Sequence, residues 1–173
     1  NSGTIRKGLE MKILVINTGS SSIKYELFDM EHHRVMASGM AEKIGEDTSL
    51  LTHKGISPNG DLVEKMEDAV IADHLEGMNR IVQLLVDPDL GPMQAKGEMS
   101  AVGHRVVHGG EAFHSTTIID KKVIAAIRKN IPLAPLHNPP DLVGIEITTT
   151  LFPDAPQVAV FDTAFHQTIP MKA

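Results

Sequence analysis

Near its start the chain sets three strand-like segments in a row, joined by turns too short to hold a helix, and this order constrains the fold more than any other feature. Residues 12–17 read as a buried strand, because Ile13, Leu14, Val15 and Ile16 form a short apolar run that ends at turn residues. Residues 18–22 are the turn. Ile23, Tyr25 and Leu27 then alternate with Lys24 and Glu26 up to Asp29, the period of a strand with one buried face. Residues 30–34 make a polar tip, and residues 35–42 return from it. Two successive hairpins start an antiparallel sheet. A stretch rich in turn residues follows, including Ser57-Pro58-Asn59-Gly60, with short strand-like pieces at residues 49–53 and 61–66.

Beyond it the pattern changes. A helix opens at Asp73, whose spacing to Glu76 is that of a capping box, and Leu75, Met78, Val82 and Leu85 supply its inner stripe. Pro88 and Gly91-Pro92 end it. Residues 101–108 are again strand-like. Asp120 can cap a second helix with Val123, Ile124, Ile127 and Ile131 inward, stopped by Pro132. Pro139-Pro140 sit at the start of a third helix, where a missing N–H costs nothing, and Val143, Ile147 and Leu151 form its stripe up to Pro153. Residues 157–161 form a short buried strand with Asp162 at its end. Three strands, then helices alternating with strands, predict an α/β fold with a mixed sheet.

Composition narrows the classes. The 173 residues are 42% apolar, enough for one domain with one core. The absence of cysteine excludes a disulfide framework, a thiolate zinc site and a cysteine nucleophile. With 16 Lys+Arg against 22 Asp+Glu, the net charge of −6 argues against sequence-independent capture of nucleic acid. Apolar runs such as residues 13–16 and 123–127 fall far short of the roughly 18 residues of a membrane span. The first ten residues hold no apolar segment of the signal-peptide kind. A cytoplasmic protein with neither membrane nor nucleic-acid partners is the expectation. Met11 is the first plausible initiator, so residues 1–10 are expected to be a tag or a disordered extension. Strand and helix signals run on to His166 without a composition shift, which suggests that residues 11–173 are a piece of something longer.

Four segments can carry chemistry. In Asn17-Thr18-Gly19-Ser20-Ser21-Ser22-Ile23-Lys24 a glycine and three hydroxyls in a tight turn offer N–H and O–H donors to an anion, and Lys24 adds a positive charge. It is not a Walker loop, since the G-x-x-x-x-G-K-[ST] spacing is missing and a strand follows. Ser22 and Lys24 share one strand face, so hydroxyl and ammonium converge. An ordinary Gly-Ser hairpin with a solvated lysine accounts for the same spacing. In Gly103-His104-Arg105-Val106-Val107-His108-Gly109-Gly110-Glu111, the two histidines lie roughly 13 Å apart at about 3.3 Å per residue of strand, too far to share one metal ion. Arg105 and Val107 share the other face, a guanidinium fork beside a small apolar side chain, which is what a short carboxylic acid needs. Spacing alone favours a structural ion pair for Arg105. Leu133-Ala134-Pro135-Leu136-His137-Asn138-Pro139-Pro140 is a proline-stiffened loop that would hold Leu136 and His137 toward a site, although a lone histidine is more often structural. Asp162 ends an apolar strand, where ligands gather in open α/β sheets; a helix cap is the plain alternative.

Taken together these segments, with Phe161-Asp162-Thr163-Ala164-Phe165-His166 as the fourth, resemble the acetate kinases, close relatives of the propionate kinases. The resemblance runs from Met11 to the end and covers less than half of a full family chain, its amino-terminal domain. It implies an actin-like, hexokinase-like (ribonuclease H-like) ATPase fold of two related α/β domains, with ATP and the acyl substrate between them. It further implies that Asn17 contributes to a magnesium site and that Gly19, Ser20, Ser22 and Lys24 lie at the ATP phosphates. Arg105 would bind the acetate carboxylate, Val107 and Leu136 would line the methyl pocket with His137 close by, and Asp162 would be the catalytic acidic residue. The implied reaction is reversible phosphoryl transfer from ATP to acetate, giving acetyl phosphate and ADP, in a protein that is a homodimer at full length. The family's second domain supplies the adenosine pocket and further catalytic side chains, so this piece alone is expected to be inactive. Propionate kinase is the near alternative. A non-catalytic module binding phosphate or acyl phosphate is a reading from another class, and a sugar or polyphosphate hydrolase on the same fold suits the Arg105 and Val107 pair less well.

Overall fold

The structure is a computed structural model that describes residues 10–109, 113 and 115–162. Its elements in chain order are β1 (Lys12–Thr18), β2 (Ser22–Asp29), β3 (Arg34–Glu42), β4 (Ser49–Ile56), β5 (Leu62–Ala69), α1 (His74–Leu85), β6 (Met99–Val106), β7 (Thr117–Ile118), α2 (Lys121–Lys129), α3 (Asn138–Leu151) and β8 (Gln157–Phe161). The strands form one sheet in the order β5-β4-β3-β2-β1-β6-β8-β7. β1 to β5 are an antiparallel meander, β6 runs parallel to β1, β8 parallel to β6, and β7 closes the edge antiparallel. The expected mixed α/β sheet is therefore what the chain forms.

The alternation predicted for β2 is observed, whereas β1, expected to be buried throughout its apolar run, also alternates, with Val15 39% exposed on the other face. Leu14, Ile16, Ile23, Tyr25, Leu27 and Val102 are fully or almost fully buried, and they pack with Met78, Ile81 and Leu85 of α1. A second cluster joins Val106, Ala159 and Phe161 to Val123 and Ile127 of α2 and Ile145 of α3. The helices α1, α2 and α3 thus cover one face of the sheet. The opposite face carries Val15, Asn17, Lys24 and Glu26 on β1 and β2, and Arg105 and Val160 on β6 and β8, because residues directly opposite on paired strands share a face.

The helix starts follow the capping logic. Asp73 accepts from Glu76 N at 2.8 Å, while the Glu76 carboxylate accepts from Ala72 N at 2.9 Å. Asp120 accepts from Lys122 N and Val123 N at 2.8 and 2.9 Å. Two inner stripes differ from expectation. On α1 the expected Met78, Val82 and Leu85 are buried, joined by Ile81 and Leu84, but Leu75 is 50% exposed. On α3, Val143 is 39% exposed, with Ile147 and Leu151 only partly buried; the buried positions are Asn138, Asp141, Leu142, Gly144, Ile145 and Thr148. Three of those six are polar and find tertiary partners, which apolar periodicity does not register. The short strand-like pieces at residues 49–53 and 61–66 prove to be β4 and β5, each eight residues long. β6 spans Met99–Val106, two residues earlier than the expected 101–108 at each end, and the two-residue β7 had no sequence signal. Among the described residues no helix is long and apolar enough to cross a membrane.

Candidate active site

The hairpin between β1 and β2 is held from four directions. Gly19 N donates to the Ser22 carbonyl at 2.8 Å and Ile44 N to the Ser21 carbonyl at 3.0 Å. His74, the first residue of α1, donates from Nε2 to the Gly19 carbonyl at 2.7 Å. Beneath the loop the buried Thr18 side chain lies against α3 at Gly144, where an added Cβ would stand 2.2 Å from Thr18 Oγ1; only glycine permits this approach. Ser20 is left exposed at the tip and Ser22 half-buried.

The pairing register sets the candidates side by side. Lys24 on β2 is opposite Asn17 on β1. Ile16 is paired with His104, so the next step along both strands brings Asn17 beside Arg105 on β6, and Arg105 is paired with Val160 on β8. Adjacent strands are about 4.8 Å apart, so Lys24, Asn17 and Arg105 form one row on the face opposite α1, α2 and α3. The row lies at the carboxyl ends of the parallel strands β1, β6 and β8, the edge where open α/β sheets bind ligands. A depression of about 370 Å³ over β1 to β3 is lined by Val15, Asn17, Lys24, Ser38 and Met40 among others.

Asp162 follows β8 and meets this row directly. Arg105 Nε donates to its two carboxylate oxygens at 3.0 and 3.1 Å, and Arg105 Nη2 donates to Oδ2 at 2.7 Å. The Asp162 carboxylate raises the Arg105 pKa further above its ordinary value. Both side chains stay partly open, 53% for Arg105 and 37% for Asp162. The structural ion pair that spacing favoured is present, and its partner is another candidate site residue.

Behind the row α3 holds the end of β6. Asn138, fully buried, donates from Nδ2 to the carbonyls of His108 and Ile127, each at 3.0 Å. Asp141, 4% exposed, accepts from Val107 N at 3.3 Å. Burial pushes the Asp141 carboxyl up to about 7, and the charge of Asp162 adds to this, while the Val107 N–H and Arg105 pull the other way. His104, on the buried face of β6, bonds to Gln157 Oε1 at 2.8 Å and Thr148 Oγ1 at 3.2 Å; burial pushes its pKa down to about 4. It is a core histidine, consistent with rejecting a shared metal ion with His108.

Val107 lies just past β6, half-buried. Leu136 and His137 sit on the loop entering α3 and are exposed, Leu136 to 75%. His137 takes the N-cap position of α3 without a side-chain capping bond. Residues 110–111 and 163–166 of the quoted segments, and residues 1–9 of the expected extension, lie outside the described residues. Among the described residues no group of three His, Asp or Glu side chains forms a metal cage. Sequence reasoning passed over His74, Thr18, Gly144, Asn138 and Asp141. The last two carried a signal: with Ile145 and Thr148 they recur at helical spacing, so the polar members mark a buried face.

Over residues 12–173 the chain matches the acetokinase family, and it belongs to that family. It is 52% identical over 164 residues to the acetate kinase of Nitratidesulfovibrio vulgaris, covering 94% of this chain and 40% of that protein. It is 49% identical over 163 residues to the acetate kinase of Thermotoga maritima, covering 94% of this chain and 39% of that protein. The crystal structure of Porphyromonas gingivalis acetate kinase superposes with a TM-score of 0.82 at 43% identity, over 92% of this chain and 39% of that one. A propionate kinase from Francisella tularensis gives 0.81 at 34% identity, over 92% of this chain and 39% of that one. The chain spans about 40% of the length of the curated relatives it matches.

Proposed function

We propose that this chain is the amino-terminal domain of an enzyme that transfers the γ-phosphoryl group of ATP reversibly to acetate, giving acetyl phosphate and ADP. The observation behind this is the row of Lys24, Asn17 and Arg105 at the carboxyl ends of the parallel strands, with Asp162 bonded to Arg105 beside it. One end of the row suits phosphate, the other a small carboxylate.

Gly19, Ser20 and Ser22 offer donors to the phosphates, and Lys24 neutralises charge on the same side. Arg105 holds the acetate carboxylate through its fork, with Val107 and Leu136 toward the methyl group and His137 close by. A partly exposed ion pair contributes only about 0–1 kcal/mol, so Asp162 yields part of that fork to a ligand at little cost. Acetate has a pKa near the side-chain carboxyl value of about 4 and is ionised at neutral pH, so no base is needed to make the nucleophile. Asp162 then orients the attacking carboxylate or a bound water and does not carry a proton. The Asn17 amide oxygen and the Asp162 carboxylate are hard oxygen donors of the kind magnesium takes, and the ion, when bound, neutralises charge on the phosphate oxygens.

The same reading makes the complete protein cytoplasmic and homodimeric, and the isolated chain inactive for want of the second domain. Relatives of both substrate classes match, but those at higher identity are acetate kinases; one methylene is worth only about 0.8 kcal/mol of apolar burial. In the full-length enzyme Asp162→Asn should lower kcat about 100-fold or more while changing the acetate KM much less. Near-normal turnover by that variant would refute the role given to Asp162.

A further inference from the structure

The mechanism leaves His74 without a task, although it makes one of the shortest bonds to the phosphate loop. Its position is rigid. It opens α1 directly after the cap Asp73, and the chain before it is fixed by Ile71, which is fully buried and donates from N to Ser49 Oγ at 3.3 Å. The Gly19 carbonyl is the only acceptor in its bond, so the proton is on Nε2.

In a hydrogen-bonded β-turn the first carbonyl accepts from the N–H three residues on. Residues 20 and 21 form a bend instead, and the Gly19 carbonyl is held by His74 from outside the loop. The Gly19–Ser20 peptide is planar and trans, so its C=O and N–H point in opposite directions. Drawing the carbonyl toward α1 turns the Ser20 N–H away from α1, on the exposed tip of the loop. Glycine rotates more freely than any other residue, so without this bond the peptide is free to flip and present its carbonyl to an anion. A carbonyl dipole facing phosphate repels it where an N–H attracts it.

We propose that His74 is a positioning residue of the phosphate loop: by holding the Gly19 carbonyl it keeps the Ser20 N–H directed at the phosphate groups of the nucleotide. This rests on the phosphoryl-transfer reading for the identity of the ligand; the peptide geometry does not. The test uses the full-length enzyme with His74→Phe, which keeps a ring and removes the donor, and His74→Gln, whose side-chain N–H reaches a similar place. His74→Phe should lose about tenfold in kcat/KM for ATP, with the acetate KM changed less than twofold, and His74→Gln should recover most of the loss. Thermal unfolding of the two variants should be alike. Equal kinetics in the two variants, whether both normal or both impaired, overturns the proposal, as does an equal effect on ATP and acetate. If the wild-type enzyme forms no acetyl phosphate, the functional reading falls and the loop is tested by binding of inorganic pyrophosphate. There, weaker binding by the phenylalanine variant and rescue by glutamine uphold the role of His74, and equal binding refutes it.

Discussion

Asp141→Asn is expected to stabilise the chain by about 4 kcal/mol at pH 8 and by almost nothing at pH 4. The carboxyl is 4% exposed, and its one hydrogen bond among the described residues, from Val107 N, is long at 3.3 Å. Burial pushes its pKa to about 7 from an ordinary 3.8, with Asp162 adding repulsion and Arg105 offsetting part of it. The folded state therefore holds the Asp141 proton more tightly than the unfolded chain does. The stabilisation this brings is present in full below pH 3.8 and is lost as pH rises through 7. A span of about three pH units at 1.36 kcal/mol each gives about 4 kcal/mol. Asparagine keeps the shape and an oxygen to accept from Val107 N but carries no charge to bury at any pH. Since the protein has no tryptophan, unfolding in urea is best followed by far-ultraviolet circular dichroism, at pH 8, 6 and 4. A variant less stable than wild type at pH 8, or one whose advantage is the same at pH 8 and pH 4, refutes the reasoning.

His104 has the opposite sign. Its neutral form is buried, so its contribution is complete above the ordinary 6.5 and is lost as pH falls through about 4, a span worth about 3 kcal/mol. In wild type this loss runs against the gain from Asp141, so Asp141→Asn should uncover it: stability of that variant should fall by about 3 kcal/mol between pH 6.5 and 4. His53, also pushed down by burial, acts in the same direction, and stability that rises on acidification would contradict the account. Gly144→Ala would normally favour a helix by roughly 0.5–1 kcal/mol. Here the new Cβ meets Thr18 Oγ1 at 2.2 Å, and overpacking of about 1–3 kcal/mol should win. The melting temperature should drop, and Thr18→Ala in the same chain should restore part of it.

Local periodicity made much of the fold legible. The alternation of Ile23, Tyr25 and Leu27, the caps at Asp73 and Asp120, and the inward Val123 and Ile127 are all properties of a few neighbouring residues. α3 misled for a physical reason. Its inner face carries Asn138, Asp141 and Thr148, which find partners in the residues just past β6, in α2 and in Gln157, although Asn138 Oδ1 is buried without one. Those partners are far away in sequence, so an apolar count placed the face one position round the helix. β5 was weak for the converse reason: it is an edge strand with Leu62, Met66 and charged residues in the open, lacking the buried alternation of β2.

The candidate site divides in the same way. Each segment stood out by its own chemistry, and parity along one strand was enough to put Ser22 with Lys24. What no single segment contains is the register between β1 and β6, which aligns Ile16 with His104 across a gap of more than eighty residues. That register decides whether Asn17 faces Arg105 or the core, since a slip of one residue would turn every side chain over. It also dissolves a choice that spacing had posed. For Arg105 the alternatives were an ion pair or a fork for a ligand. The pair turns out to be made with Asp162, at the carboxyl ends of the parallel strands, with both partners partly open to solvent. A contact of that kind keeps the guanidinium oriented, and its small net energy leaves it ready to be shared. One ion pair can therefore hold Arg105 in place and still leave it available to the small carboxylate proposed as its ligand.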